Sequence, residues 1–267
     1  MKPRCTTAVI LAAGRGSRVR SLTAARPKCL IDLAGAPIIE WIIGALERAG
    51  VTDIVMVTGF RAGHVARYAA ARTRRLKAAR KPGKAGARIR LVRNPRWRLP
   101  NGLSLYAARR AVPAGEAFLV VMSDHILPPG IIAKVARAGT DRCVLAVDTD
   151  LAGVFDLSDA TKVRTMGGRP VAIGKRLRKY DAVDCGLFRF DARVFAALAA
   201  AFKQGDRSLS GGVKELIAAG DLDVLPIGRR AAWIDIDTPR AYRQALRNRK
   251  AFLRGHPRNQ RSLGGVR

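Results

Sequence analysis

The stretch Leu11-Ala12-Ala13-Gly14-Arg15-Gly16-Ser17-Arg18, closing at Arg26-Pro27-Lys28-Cys29-Leu30, decides how this chain is read. It follows the apolar run Ala8 to Leu11, which has the character of a buried strand leaving a sheet. Gly14 and Gly16 let the backbone turn sharply and approach a ligand with no side chain in the way. Consecutive backbone N–H groups in such a loop form an anion-binding nest. Arg15, Arg18 and Lys28 add fixed positive charge around it. The combination suits a nucleoside triphosphate. It is not a Walker A loop, which needs Lys-Ser/Thr after its second glycine. Nor is it the dinucleotide fingerprint, because Val19 stands where the third glycine belongs. On these residues alone, a tight strand-to-helix turn with solvated arginines stays open.

Outward from the loop, the pattern alternates strand and helix. Residues 37–50 carry Ile38, Ile42, Ala45, Leu46 and Ala49 at helical spacing, with Pro at the start and Gly at the stop. Trp41 belongs to that packing surface. Residues 53–58 read as a strand ending at Thr58-Gly59, and residues 63–71 as a helix. This order predicts a mostly parallel sheet with right-handed crossovers and helices on both faces, a Rossmann-like α/β fold. Residues 72–88 are basic, lack an acid and carry Pro82, Gly83 and Gly86, which predicts an exposed, mobile insertion.

A strand at 88–92 and a helix from Asn101 to about Val112 follow. Asn101 reads either as that helix's N-cap or as a neighbour of a nucleotide base. The apolar strand at 117–122 runs directly into Ser123-Asp124-His125. A carboxylate at the end of a central parallel strand lies where open α/β sheets bind ligands. After a strand at 142–147, residues 156–190 predict a β-meander laid beside the sheet. Helices at 192–202 and 212–219, strands at 222–227 and 231–236, and a helix near Pro239 complete one domain over residues 1–253. Residues 254–267 form a basic tail expected to fray.

The bulk numbers exclude several classes. A hydrophobic content of 48% rules out wholesale disorder. No apolar run reaches the ~20 residues needed to span a bilayer, and the run at 8–13 is too short for a signal peptide. A cytoplasmic location is the expectation. Cys5, Cys29, Cys143 and Cys185 are far apart, with no C-x-x-C pair, so neither zinc nor a disulfide framework is predicted. The net charge of +30 attracts phosphates, nucleic acid and anionic membranes, and is also what an Arg-rich coding bias produces on an indifferent surface.

A second acidic site lies at Trp233-Ile234-Asp235-Ile236-Asp237-Thr238. Strand alternation puts Asp235 and Asp237 on one face, and paired carboxylates suit a hard cation such as Mg²⁺. Asp237 also reads as the cap of the helix opening at Thr238-Pro239. Between the acidic sites, Lys162, Lys175 and Asp184 come at intervals in the meander. Together they suit a phosphate bearing hydroxyls.

L-A-A-G-x-G-S/T-R followed by P-K-x-L resembles the signature loop of the sugar-phosphate nucleotidyltransferase superfamily. The later motifs M-S-D-H, A-T-K-V, I-G-K-x-L, V-D-x-G and W-x-D-x-D-T, with N-G-x-S-L before them, resemble the CTP:inositol-1-phosphate cytidylyltransferases. The resemblance covers residues 8 to about 245. It implies a loop that wraps the triphosphate, with nucleotide contacts from Leu11, Ala12, Ala13, Gly14, Gly16, Ser17, Arg18, Lys28, Thr58, Gly59, Asn101, Ser104, Ser123 and Asp124. It implies Arg18, Lys28, Asp124 and Asp235 as the catalytic set, with Asp124 and Asp235 holding Mg²⁺ and Asp237 beside them. Lys162, Lys175 and Asp184 then hold the acceptor. The implied reaction makes CDP-inositol and pyrophosphate from CTP and a phosphorylated polyol, for inositol phospholipid or phosphodiester synthesis. No specific nucleic acid partner is implied. Peripheral contact with an anionic membrane, or with a membrane phospho-alcohol transferase, is compatible with it. Cys185, where Thr is expected, and the basic insertion depart from the pattern. Phosphocholine and sugar 1-phosphates are the alternative acceptors. An inactive nucleotidyltransferase fold that binds anionic partners is the alternative of another kind.

Overall fold

The computed structural model describes residues 5–23, 26–78, 86–229 and 231–252. One nine-stranded sheet organises them. Its strands are β1 (Thr7–Ala12), β2 (Asp53–Thr58), β3 (Arg88–Arg93), β4 (Phe118–Met122), β5 (Cys143–Asp148), β6 (Lys162–Met166), β7 (Arg169–Gly174), β8 (Ala182–Phe190) and β9 (Leu222–Pro226). The order is β7-β6-β8-β4-β1-β2-β3, with β5 paired to β8 and β9 to β5. The heart of the sheet, β4-β1-β2-β3, is parallel, and β8 joins β4 antiparallel.

Alternation along the strands explains why helices cover both faces. In β1, Ala8, Ile10 and Ala12 face one core while Val9 and Leu11 face the other. β2 and β4 divide the same way, Ile54, Met56, Leu119 and Val121 against Val55, Val57, Phe118 and Val120. The first layer is closed by α1 (Ile38–Ala49), α2 (Ala62–Ala78), α4 (Pro129–Ala136) and α7 (Pro239–Arg247). The second is closed by α3 (Gly102–Ala107), α5 (Arg193–Lys203) and α6 (Leu209–Ala218). α1 ends where expected, on Gly50 at φ 91. All four cysteines are buried and unpaired. Among the described residues no helix is long and apolar enough to cross a membrane.

Three expectations need correction. The proposed insertion at 72–88 is partly folded: α2 continues to Ala78. Arg72 is buried there on Glu40 and Glu47, and the Glu47 carboxylate also accepts the Ala87 N–H at 2.8 Å. The acids that anchor it lie on α1, outside residues 72–88. Residues 79–85 of that insertion, and the tail, lie outside the described residues.

The meander is also not laid beside the sheet. β8 is buried on both faces and pairs with β4, β5 and β6, which makes it an integral strand. Finally, neither side chain read as a possible cap makes the capping bond. Asn101 makes no capping bond to α3, and Thr238, not Asp237, caps α7 by accepting the Ala241 N–H at 3.1 Å.

Candidate active site

Three segments converge at the carboxyl ends of β1 and β4. The glycine loop leaves β1 and turns at Gly16, whose backbone is left-handed at φ 67. A Cβ there would lie 2.6 Å from the Lys28 Cβ, so the loop and the lysine stem fit only with glycine. Gly14, by contrast, has no other atom within 4 Å of where a Cβ would point, which leaves that space to a ligand.

Asp124 follows β4. The strand pair His125–Ile126 and Ile234–Asp235 then brings the second acidic segment alongside, and the Ile236 N–H donates to the Asp124 carbonyl at 3.0 Å. Trp233 fixes this segment from behind: its indole N–H donates to the Asp148 carboxylate at 2.7 Å, and its ring stacks on His125 at 6.0 Å. His125 in turn needs the bulge in β8, because a Cβ on Gly186 (φ 69) would come within 2.5 Å of its ring.

Lys28 is the electrostatic centre. Its ammonium touches Asp124 at 2.7 Å, lies 3.8 Å from Asp235 and contacts Asp237. Burial disfavours its charge, but the three carboxylates hold it protonated well above the ordinary lysine range. Burial likewise acts against an ionised Asp124, but Lys28 and His125 hold that carboxyl well below the usual range. Burial also lowers His125, and the carboxylates of Asp235, Asp124 and Asp184 more than offset it, raising the imidazole to about 9. Burial pushes Asp235 up, and the neighbouring Asp124 adds to it.

The Asp235 Oδ1 is buried and has no hydrogen-bond partner. One ligand atom each from Asp124, His125 and Asp235 lie within 4.8 Å of one another. An orphaned carboxylate oxygen beside a second carboxylate fits a hard divalent cation such as Mg²⁺.

Two clefts open from this cluster and share Asn101, Met122, Asp124 and Asp237. The first, of about 280 Å³, is lined by the glycine loop. Leu11, Ala13, Gly14, Gly16, Ser17, Arg18, Lys28, Asn101, Ser104, Ser123 and Asp124 all line it. Ala12 points into the opposite core layer. Thr58 and Gly59 do not line it. Thr58 is buried with its hydroxyl toward the Val92 carbonyl, and Gly59 packs against Trp97 and the Ala13 carbonyl. The Asn101 side-chain oxygen accepts the Leu209 N–H at 3.0 Å, which ties α3 to the first turn of α6.

The second cleft, of about 240 Å³, is lined by Lys175, Asp184, Asp159, Thr161, Asp235 and aromatic side chains. Burial raises the Asp184 carboxyl to about 6, although it accepts the Gly186 N–H. Lys162 does not line this cleft. It is buried, and its ammonium donates to the Ser158 carbonyl at 2.6 Å. Trp233 and Phe155 do line it, which sequence order hides. Each aromatic has a ring face engaged: Trp233 by His125, Phe155 by Arg240 at 5.2 Å, and Phe188 by Phe190 at 5.0 Å.

His125, Asp148 and Asp159 received no role from the sequence. His125 closes the M-S-D-H motif and Asp159 precedes A-T-K-V, which is the available signal, whereas Asp148 reaches Trp233 only through the fold.

Residues 8–218 match the family model of the MobA-like NTP transferase domain. The chain is 36% identical to the "Bifunctional IPC transferase and DIPP synthase" of Rubrobacter xylanophilus, over 88% of this chain and 50% of that protein. With the protein of the same name from Aquifex aeolicus it shares 32% identity, over 87% of this chain and 49% of that one. It thus spans about half the length of these curated relatives. The structure of the inositol-1-phosphate CTP transferase from T. maritima superposes with a TM-score of 0.81. That match covers 96% of this chain and 99% of that one at 24% identity, and it supports the fold.

Proposed function

This chain belongs to the MobA-like NTP transferase domain family, and from that premise we propose that it transfers CMP from CTP to inositol 1-phosphate, releasing pyrophosphate. The observation that carries the reading is the meeting of two clefts at Asp124 and Asp237. One has a loop shaped for a triphosphate; the other pairs a lysine with carboxylates, a lining suited to a phosphate that carries hydroxyls. The names of the relatives, and of the T. maritima structure, support the same acceptor.

An oxygen of the acceptor phosphate attacks the α-phosphorus of CTP. The new P–O bond forms as the bond from the α-phosphorus to the β-phosphate oxygen breaks, and pyrophosphate leaves in line. The nucleophile is already ionised, so no side chain needs to take a proton. The chain's residues align the reactants and balance charge. Gly14 and Gly16 bring loop N–H groups to the triphosphate. Arg18 and Lys28 exchange carboxylates for phosphate oxygens and stabilise the departing pyrophosphate. Lys175 holds the acceptor phosphate, and Asp184 accepts from ring hydroxyls. Lys162 acts by positioning the loop that carries Ser158 and Asp159. Asp124 and Asp235, with Asp237 beside them, are the residues that would hold Mg²⁺. When bound, that ion supplies charge stabilisation at the α-phosphate.

Phosphocholine is the second reading, favoured by Phe155 and Trp233 in the cleft wall. The engaged ring faces and the lysine-carboxylate lining favour the polyol. Pyrophosphate release with inositol 1-phosphate and each of the four NTPs tests the nucleotide. CTP is expected to give the highest kcat/KM; a higher value with UTP or ATP overturns the assignment.

A further inference from the structure

No sequence motif gives Asp159 a role, yet it joins the two clefts. One carboxylate oxygen accepts from Arg18 at 2.6 Å, and the other accepts from Lys175 at 2.9 Å. Arg18 lines the glycine-loop cleft and Lys175 the other. The short loop before β6 is built to aim this side chain. Asp156 is left-handed at φ 61, and its carbonyl accepts the N–H groups of Asp159 and Ala160 at 3.1 and 3.3 Å. The Asp156 carboxylate accepts from the Ser158 hydroxyl at 2.8 Å, and buried Lys162 pins the Ser158 carbonyl. Asp159 therefore holds a negative charge between the cation assigned to the triphosphate and the cation assigned to the acceptor phosphate.

We propose that Asp159 is a specificity-determining residue, a resident anion that gives up both cations to the substrates and is then satisfied by hydroxyl groups of the acceptor. This rests on the reading of the two clefts as triphosphate and polyol-phosphate sites. A triphosphate that takes Arg18 leaves Asp159 on Lys175 alone. An acceptor phosphate that takes Lys175 removes the last cation. The carboxylate then stands between two anions that repel it. Acceptor hydroxyls beside the phosphate relieve this by donating charge-assisted hydrogen bonds to it. An acceptor with the same ring and no hydroxyls leaves the carboxylate unsatisfied, and double occupancy is penalised.

Asp159→Asn keeps the shape and removes the charge. Two measurements test it. In calorimetry, inorganic tripolyphosphate is expected to bind the variant about fivefold more tightly than wild type, because Arg18, which also contacts Asp237, then has one carboxylate to leave instead of two. A merely structural role predicts weaker binding. In steady-state assays with CTP, the ratio of kcat/KM for inositol 1-phosphate over cyclohexyl phosphate is expected to fall about tenfold. Unchanged or weaker tripolyphosphate binding overturns the resident-anion role, and an unchanged ratio overturns the specificity role. If wild type turns over neither acceptor, the proposed function fails instead, and the tripolyphosphate titration still decides whether Asp159 competes for Arg18.

Discussion

The two clefts share their floor at Asp124 and Asp237 but draw on the chain differently. On the side proposed for the triphosphate, the loop, Arg18 and Lys28 all come from residues 11–28, and the shape is that of a backbone turning at Gly16. On the side proposed for the acceptor, Asp159, Lys175, Asp184 and Trp233 come from separate elements and meet only because β8 is threaded into the sheet. Phosphate recognition by a loop is a local property, so short sequence specifies it. Recognition of an acceptor is a property of assembled surfaces, and it leaves room for substitution at single positions.

The comparison breaks first at the shared floor. Asp124→Asn is expected to lower kcat about a thousandfold while the far-UV circular dichroism stays that of wild type. Chelation of divalent cations by EDTA is expected to abolish turnover of the wild type. A near-normal rate in either experiment contradicts a metal-centred floor.

Next comes the loop itself, where its two glycines differ. Gly16→Ala places a side chain at φ 67 and against Lys28, at a cost of about 1–2 kcal/mol. It is expected to lower the melting temperature and to raise KM for CTP about tenfold. Gly14→Ala meets no protein atom, so its melting temperature should match wild type. Any loss there should appear in nucleotide binding alone. Equal melting temperatures for the two variants would place the strain elsewhere.

The acceptor side should respond more weakly and more selectively. Lys175→Ala is expected to raise acceptor KM about tenfold, with KM for CTP changing less than about threefold. Lys162→Met, which loosens a loop without touching the cleft, is expected to raise acceptor KM by only about threefold and to lower thermal stability. A larger effect on CTP than on the acceptor in either variant would erase the division between the clefts.

The same division governs how much could be read beforehand. The strand-helix alternation, the cap at Gly50 and the glycine loop were legible, because each is written in periodicity or in a contiguous motif, whereas the convergence of Asp124 with Asp235 was implied only by the family resemblance. Arg72 was misread as solvated because its partners, Glu40 and Glu47, lie a helix away. The alternative reading of Asp237 as a cap fails because Thr238 beside it caps the helix instead, and only the fold brings Lys28 to the Asp237 carboxylate. Lys162 sits within a motif and still turns inward, since the Ser158 carbonyl takes its ammonium. Asp148 holds Trp233 from 85 positions away, a separation over which local pattern carries no information.

The most direct test of the central claim is a competition. CTP is supplied with equimolar inositol 1-phosphate, phosphocholine and glucose 1-phosphate, and the CDP-linked products are quantified by mass spectrometry at early times. The ratios report relative kcat/KM for the acceptors under one condition. CDP-inositol is expected to dominate. A majority of CDP-choline or CDP-glucose would contradict the polyol assignment of the second cleft while leaving the triphosphate side intact.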